Sequence, residues 1–318
     1  MKILEHIESL RDLTRPVCIA IGYFDGVHLG HQAVIHDAVV RARANGGVSV
    51  ALTFNPHPAR ILRPQESPLM LTSLEHKIGL IKELDADFLL MQPFTLEFAR
   101  TEPESFIRRL HAVCSPLTSI SVGHQWAFGH ARKGNVALIR TLGGELGFDV
   151  GEVPPVEVNG ETVSSTLIRK FLREGDLFTV SRFLGRPYSI LGEVVHGDQR
   201  GRKIGFPTAN LHVGAESLPP EGVYVCRARV DGRTYPAVAN VGGRPTVSDC
   251  STPASSVEAH LLDFQGDLYG RRVEVFFKKF LRPEKKFDSI GELAAQIARD
   301  VGQARDFLGI DGGEPVKS

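Results

Sequence analysis

The apolar residues of this chain change rhythm at Gly185-Arg186-Pro187, and that change limits the possible fold more than any other feature. Before it, short β-branched runs alternate with stretches of helical period, which predicts an α/β domain, a parallel sheet flanked by helices. Residues 17–22 read as a buried strand, 28–45 as a helix ended by Gly46-Gly47, and 48–53 as the next strand. Thr101-x-x-Glu104, with Pro103 in the first turn, reads as a capping box before a helix over 104–113. Strands at 119–122 and 150–153, with a helix at 134–146 between them, complete this half. After the change, strand-like runs recur at 188–196, 223–230, 234–241, 256–264 and 272–280 with no helix between them. That spacing predicts a small antiparallel β-barrel. Residues 289–308 return to helical period with Leu293, Ile297, Val301, Ala304 and Phe307 on one stripe, which should pack on the barrel. The expected domains are therefore 1–185 and 186–308, with 309–318 a frayed polar tail.

A length of 318 residues suits two cores. Lys plus Arg equals Asp plus Glu at 37 each, so the chain lacks the basic footprint of a nucleic-acid or anionic-membrane binder, and its expected partners are small molecules. The four cysteines form no CxxC pair and no metal spacing with histidine, which reads as thiols in a reducing compartment. MKILEHIESL carries acids where a signal peptide needs an apolar stretch, and no run approaches about 18 apolar residues, so the expected location is the cytoplasm.

Gly22-Tyr23-Phe24-Asp25-Gly26-Val27-His28-Leu29-Gly30-His31 joins the first strand to the first helix, where open α/β sheets place ligands. Backbone N–H groups at a helix start attract phosphate, and His28 and His31, three apart, share a face of the first turn. Two imidazoles there can donate to an α-phosphate as charge builds during in-line attack; a helix-capping histidine is the structural alternative. Ser164-Ser165-Thr166-Leu167-Ile168-Arg169 offers hydroxyls and a cation suited to departing pyrophosphate, or an ordinary helix start. Neither a P-loop nor a GxGxxG motif is present. Two further stretches read as loops at strand ends, Thr53-Phe54-Asn55-Pro56-His57-Pro58 and the one holding Phe128, Gly129, Arg132, Gly134 and Asn135. Their aromatics can wall a flat apolar ligand or simply fill the core.

In the second half, the stretch from Gly197 to Asn210 is dense in glycine and cation, with Gly201, Lys203, Gly205 and Pro207 leading to Thr208 and Asn210. That composition favours polyphosphate, and the Thr208 hydroxyl and Asn210 carbonyl are hard oxygens suited to Mg²⁺; a solvated hairpin is the alternative. Glu258, in the apolar run Val257-Glu258-Ala259-His260, is either a general base or an acid on a strand edge.

Taken in order, GYFDGVHLGHQ, TFNPHP, SSTLIR, GRPYSILGEVVHGDQRGRKIGFPTAN, GVY, GGRPT, VEAHLLDF and DLYG resemble the bifunctional prokaryotic riboflavin kinase/FMN adenylyltransferases, also called FAD synthetases, over nearly the whole chain. The resemblance implies a Rossmann-like HxGH nucleotidyltransferase domain followed by a riboflavin kinase barrel. It implies ATP at Gly22, Phe24, His28, His31, Ser164, Ser165, Thr166 and Arg169, with FMN walled by Phe54, Pro56, His57, Pro58, Phe128, Arg132 and Asn135. In the barrel it implies ATP at Gly197, Gly201, Lys203, Gly205, Pro207, Thr208 and Asn210, Mg²⁺ on Thr208 and Asn210, and Glu258 as base toward riboflavin. Where that family reads V-G-x-D-F-x-F-G, this chain has Gln125 for the acid and Trp126 for the first Phe, and Gly243 stands where Thr is common. A nucleotidyltransferase with another acceptor would share the HxGH chemistry without accounting for the barrel motifs. A flavin-binding protein without turnover would not need His28, His31 and Glu258 together.

Overall fold

The computed structural model describes residues 1–197, 201, 205–214, 216–243 and 255–310. They fall into two compact units, Met1–Leu69 with Leu74–Ser165, and Met70–Ser73 with Thr166–Ser318. In the first, β1 (Lys2–Leu4), β2 (Val17–Ile21), β3 (Val48–Asn55), β4 (Phe88–Pro93), β5 (Leu117–Gly123) and β6 (Asp149–Val153) form a parallel sheet ordered β1-β4-β3-β2-β5-β6. Helices α1 (Leu29–Ala44), α2 (Pro58–Leu62), α3 (Leu74–Lys82), α4 (Pro103–Val113) and α5 (Val136–Leu146) are wound between the strands. Strand β2 shows why the sheet is covered on both faces. Val17, Ile19 and Ile21 enter a core with residues of α4 and α5, whereas the smaller Cys18 and Ala20 enter a core with α1 and α3. The chain runs outward from β2 to β3 and later outward from its other side through β5, so the switch point lies between β2 and β5.

A two-residue hairpin, β7 (Glu157–Val158) and β8 (Glu161–Thr162), leads to α6 (Ser165–Arg173) and α7 (Leu177–Leu184). Strands β9 (Ser189–Val195), β10 (Ala209–His212), β11 (Gly222–Val230), β12 (Arg233–Gly243), β13 (Ser255–Leu261) and β14 (Arg272–Arg282) close an antiparallel barrel in the order β10-β13-β12-β11-β14-β9. Helix α8 (Ile290–Leu308), capped by Ser289, covers part of the barrel, where Ala304, Val301 and Leu308 meet Val223, Val225 and Val238.

The α/β winding and the barrel with its C-terminal helix are as the sequence predicts, with local differences. Glu102 rather than Thr101 is the N-cap of α4, because Pro103 fits the first helical position and the Thr101 carbonyl accepts from the His130 N–H instead. Strand β3 runs to Asn55, so Thr53, Phe54 and Asn55 are strand rather than loop. Phe307 is 48% exposed, and Leu308 takes its expected place on the barrel. Strands β1, β4, β7, β8 and β10 and helices α2, α3 and α7 are not foreseen in the sequence reading. Lys203, Cys250 and residues 311–318 lie outside the described residues.

Candidate active sites

The loop after β2 is built from strained backbone. Phe24 and Val27 have φ of +51° and +41°, and Gly26 has +80°; non-glycine residues hold such angles only where the surroundings fix them. The surroundings are visible. Thr53 Oγ1 and Lys77 Nζ both donate to the Tyr23 carbonyl, at 3.0 and 3.1 Å. Ser165 Oγ donates to the Asp25 carbonyl at 3.0 Å. A Cβ on Gly22 would lie 2.5 Å from the Phe24 ring, so glycine there makes the seat for a fully buried aromatic.

The two histidines come together on α1. His28 is its N-cap, and its Nδ1 accepts the His31 backbone N–H at 3.3 Å. With Nδ1 an acceptor, the ring proton sits on Nε2. The rings stack with centroids 3.6 Å apart and 19° between planes, and Phe24 meets His31 edge-on at 5.4 Å. Gly30 permits this packing, since a Cβ there would reach 3.2 Å from His28 Cε1. The His31 pKa is held well below 6.5, first by burial, then by His28 and Lys77, and its Nδ1 is buried with no partner among the described residues. The capping role named as an alternative is real for His28, and it coexists with a second ring nitrogen. Serine 164, Thr166 and Arg169 surround Ser165 in sequence at the opening turns of α6.

Beside the loop is a cavity of about 890 Å³, walled by Tyr23, Phe54, His57, Trp126, Phe128 and Arg132 among others. Trp126 and Phe128 stack with centroids 4.3 Å apart and 9° between planes. Burial raises the Tyr23 hydroxyl pKa, and Arg132 opposes that rise. Of the residues expected around a flat ligand, Phe54, His57, Pro58, Phe128 and Arg132 line this cavity; Pro56 and Asn135 do not. Asn135 instead caps α5, its Oδ1 accepting from Leu138 N–H at 3.0 Å. Gln125 is exposed. Tyr23, Asp25 and Lys77 were missed as individual functional candidates. Lys77 lies in a run, LEHKIGLIK, whose other charged residues give the sequence no means of singling it out.

In the second unit, Asn210 on β10, Glu258 on β13 and Asn240 on β12 are register partners across three adjacent strands. They project from the face opposite buried Ala209, Val257, Ala259 and Val241. Strand β13 pairs on both sides within a closed barrel, so Glu258 is not on a sheet edge. A Cβ on Gly197 would lie 2.4 Å from Asn210 Nδ2, so the glycine makes room for that amide. His260 Nδ1 bonds the Pro207 carbonyl at 2.7 Å and tethers the approach to Thr208. Thr208 and Asn210 line a cavity of about 580 Å³ with Pro207, Phe264 and Tyr269, Glu258 standing next to the lining residue Ala259. Gly201 is backed by the Phe206 carbonyl, 2.3 Å from its ideal Cβ, and Gly205 has φ +85°. No group of three or more His, Cys, Asp or Glu among the described residues is arranged to hold a metal ion, and none of their helices is long and apolar enough to cross a membrane.

The FAD synthetase family model matches residues 10–167 and the riboflavin kinase model residues 184–308. The bifunctional riboflavin kinase/FMN adenylyltransferase of Escherichia coli (strain K12) is 36% identical over 312 residues, covering 98% of this chain and 99% of its own length. Its counterpart in Bacillus subtilis (strain 168) is 37% identical over 289 residues, 90% of each chain. A solved structure from Streptococcus pneumoniae, titled a macrolide-efflux protein, superposes with a TM-score of 0.81 at 30% identity, covering 96% of this chain and 98% of that one. That title stands apart from the others, and the fold it labels has the same extent as this one. Two family models in tandem, and relatives named for both activities that match over nearly their full length, place this chain in the bifunctional riboflavin kinase/FMN adenylyltransferase family.

Proposed function

We propose that residues 1–185 adenylylate FMN and that residues 186–308 phosphorylate riboflavin, each at the site described above. In the first reaction an oxygen of the FMN phosphate bonds to the α-phosphorus of ATP as the bond to the bridging α–β oxygen breaks, giving FAD and pyrophosphate. A phosphate monoester, with a second pKa of about 6, is already dianionic near neutrality, so no general base is needed. What the reaction needs is donors, and the observation that carries this reading is the stacked His28–His31 pair at the start of α1. His28 caps the helix through Nδ1 and is assigned to donate to the α-phosphate through Nε2–H, and His31, uncharged at pH 7, meets the triphosphate as a hydrogen-bond donor. Ser164, Ser165, Thr166 and Arg169 take the pyrophosphate end. The aromatic cavity takes the isoalloxazine ring against the wall that carries Trp126, Phe128 and Phe54.

In the barrel a neutral ribityl hydroxyl must lose a proton as it attacks the γ-phosphorus of ATP, and Glu258, the register partner of Asn210, is assigned to receive it. The Thr208 hydroxyl and Asn210 carbonyl are hard oxygens that would hold Mg²⁺ together with waters and substrate phosphates. When bound, the ion offsets phosphate charge. Backbone N–H groups of Gly197, Gly201 and Gly205 are assigned to the same phosphates, with Pro207 shaping the turn beside them, and Lys203, outside the described residues, is assigned as their cation.

The test is chromatographic separation of flavins over time with riboflavin, ATP and Mg²⁺. His28→Ala should slow FAD formation by about 10²–10³-fold, the usual loss of one transition-state donor, while FMN accumulates. Glu258→Gln should slow FMN formation by about 10²–10⁴-fold while supplied FMN is still converted to FAD. Loss of both reactions from either folded variant would overturn the two-site assignment.

A further inference from the structure

Lys77 is an expensive residue to bury. It lies on α3, whose Leu80 and Ile81 enter the core shared with α1, and it is 7% exposed. Taking an ammonium out of water carries a penalty of several kcal/mol, and burial is the largest influence on Lys77, lowering its pKa against the opposing effect of Asp25. A hydrogen bond alone does not explain the cation, because Thr53 already supplies a neutral donor to the Tyr23 carbonyl that Lys77 reaches.

The location does explain it. The Tyr23 carbonyl belongs to the peptide that leads into Phe24, where φ turns to +51°, and the Phe24 ring backs His31 at 5.4 Å. Asp25, two residues after the clamped carbonyl, is 2% exposed and attracts the ammonium. The charged or titratable groups acting on Lys77 are Asp25 from the loop and Arg60 from α2; those acting on His31 are His28 from α1 and Lys77 itself from α3.

We propose that Lys77 is a positioning residue of the adenylyl-transfer site, clamping the Tyr23–Phe24 peptide in its left-handed turn and setting a fixed positive charge behind the imidazole pair. The inference rests on the assignment of His28 and His31 given above. It gives Lys77 no contact with ATP: the ammonium acts through the loop's shape and its field on His31. A triphosphate entering such a site meets donors already oriented and a favourable potential, and so loses less on binding.

Full-length enzyme tests this with Lys77→Met, Lys77→Gln and Lys77→Arg, using riboflavin phosphorylation by the same preparation as internal control. Lys77→Met should raise the KM for ATP in FAD formation by at least about tenfold, more than it lowers kcat, with FMN formation within about twofold of wild type. Lys77→Arg, which keeps charge and donor, should recover most of that loss. In histidine-labelled protein the His31 resonance should titrate at higher pH in Lys77→Met than in either wild type or Lys77→Arg. If Lys77→Met fails to fold and loses the kinase too, Lys77→Gln, which keeps a donor without charge, carries the same expectations. A wild-type KM and kcat for FAD formation in the uncharged variants overturns the proposal, as does an Arg variant no better than Met with His31 titrating unchanged. His28→Ala and His31→Ala run alongside: if they leave FAD formation intact, the histidine assignment falls and this proposal with it; if they abolish it while the uncharged Lys77 variants are silent, only the Lys77 proposal falls.

Discussion

Alanine at position 22 would place its methyl carbon 2.5 Å from Cε1, 2.9 Å from Cδ1 and 3.0 Å from Cζ of Phe24. Carbon atoms in good contact settle at about 3.5–4.0 Å, so the ring would have to retreat by roughly 1 Å. It has little room, being fully buried among Val27, Val34 and Ile35, with His31 edge-on to it. Overpacking of this kind costs about 1–3 kcal/mol. Expressed wholly as misalignment of the His31 ring, that energy equals roughly a five- to 150-fold loss of kcat/KM for FAD formation. Expressed wholly as lost folding stability, it equals a fall of about 2–12 °C in the melting temperature of a unit of this size. Parallel rate assays of both reactions and a thermal melt on one preparation of Gly22→Ala measure both shares, with riboflavin phosphorylation unchanged. Wild-type kcat/KM for FAD formation together with an unshifted melt would refute the idea that Gly22 is the seat of the Phe24 ring.

His31 has a folded pKa below its unfolded one, so its contribution to stability is present above about pH 6.5 and is lost as pH falls toward the folded value. The melting temperature of the first unit should therefore decline from about pH 7.5 to 5.5, and His31→Gln should shrink that decline; an equal slope in the variant counts against it. Arg282 holds the Asp300 carboxylate at 2.7 Å, where Asp300 is only 3% exposed. Arg282→Met should destabilise the second unit by about 3–5 kcal/mol, and Asp300→Asn added to it should restore part of the loss, both read from denaturant unfolding of the barrel. Trp126→Ala removes an aromatic lining residue of the first cavity, so KM for FMN should rise several-fold, by about 0.5–1.5 kcal/mol for one lost ring–flavin contact, with KM for ATP unchanged.

Periodicity carried most of the architecture because both units obey one rule each: buried parallel strands between amphipathic helices, then alternating strands around a barrel. Where it failed, the cause is local. Strand β10 is four residues long and begins next to a stretch whose glycines and cations dominate the reading, so the sixth barrel strand is hidden inside its own candidate ligand loop. The Thr101 capping signal is genuine as a pattern, but Pro103 decides the first helical residue. Among the candidate residues, His28 and His31 stand out in the sequence by their spacing and Glu258 by its charge within an apolar run. Lys77 and Thr53 were not, because they act on the loop from α3 and β3, and which remote side chain meets a given carbonyl is fixed by packing rather than by spacing. Asn135 illustrates the reverse: its place in a glycine-rich loop looks like ligand chemistry, and its side chain is spent on a helix end.

The brevity of β10 has a thermodynamic consequence. Four residues join β9 to β13 and so seal the cylinder, and one of the four is Asn210. Any occupant that grips the Asn210 amide also fastens this seam, which makes loading of the cavity and integrity of the cylinder a single linked equilibrium. Fraying at the seam would part Asn210 from its register partner Glu258, and a saturating occupant would suppress the fraying in proportion to how strongly it prefers the sealed form.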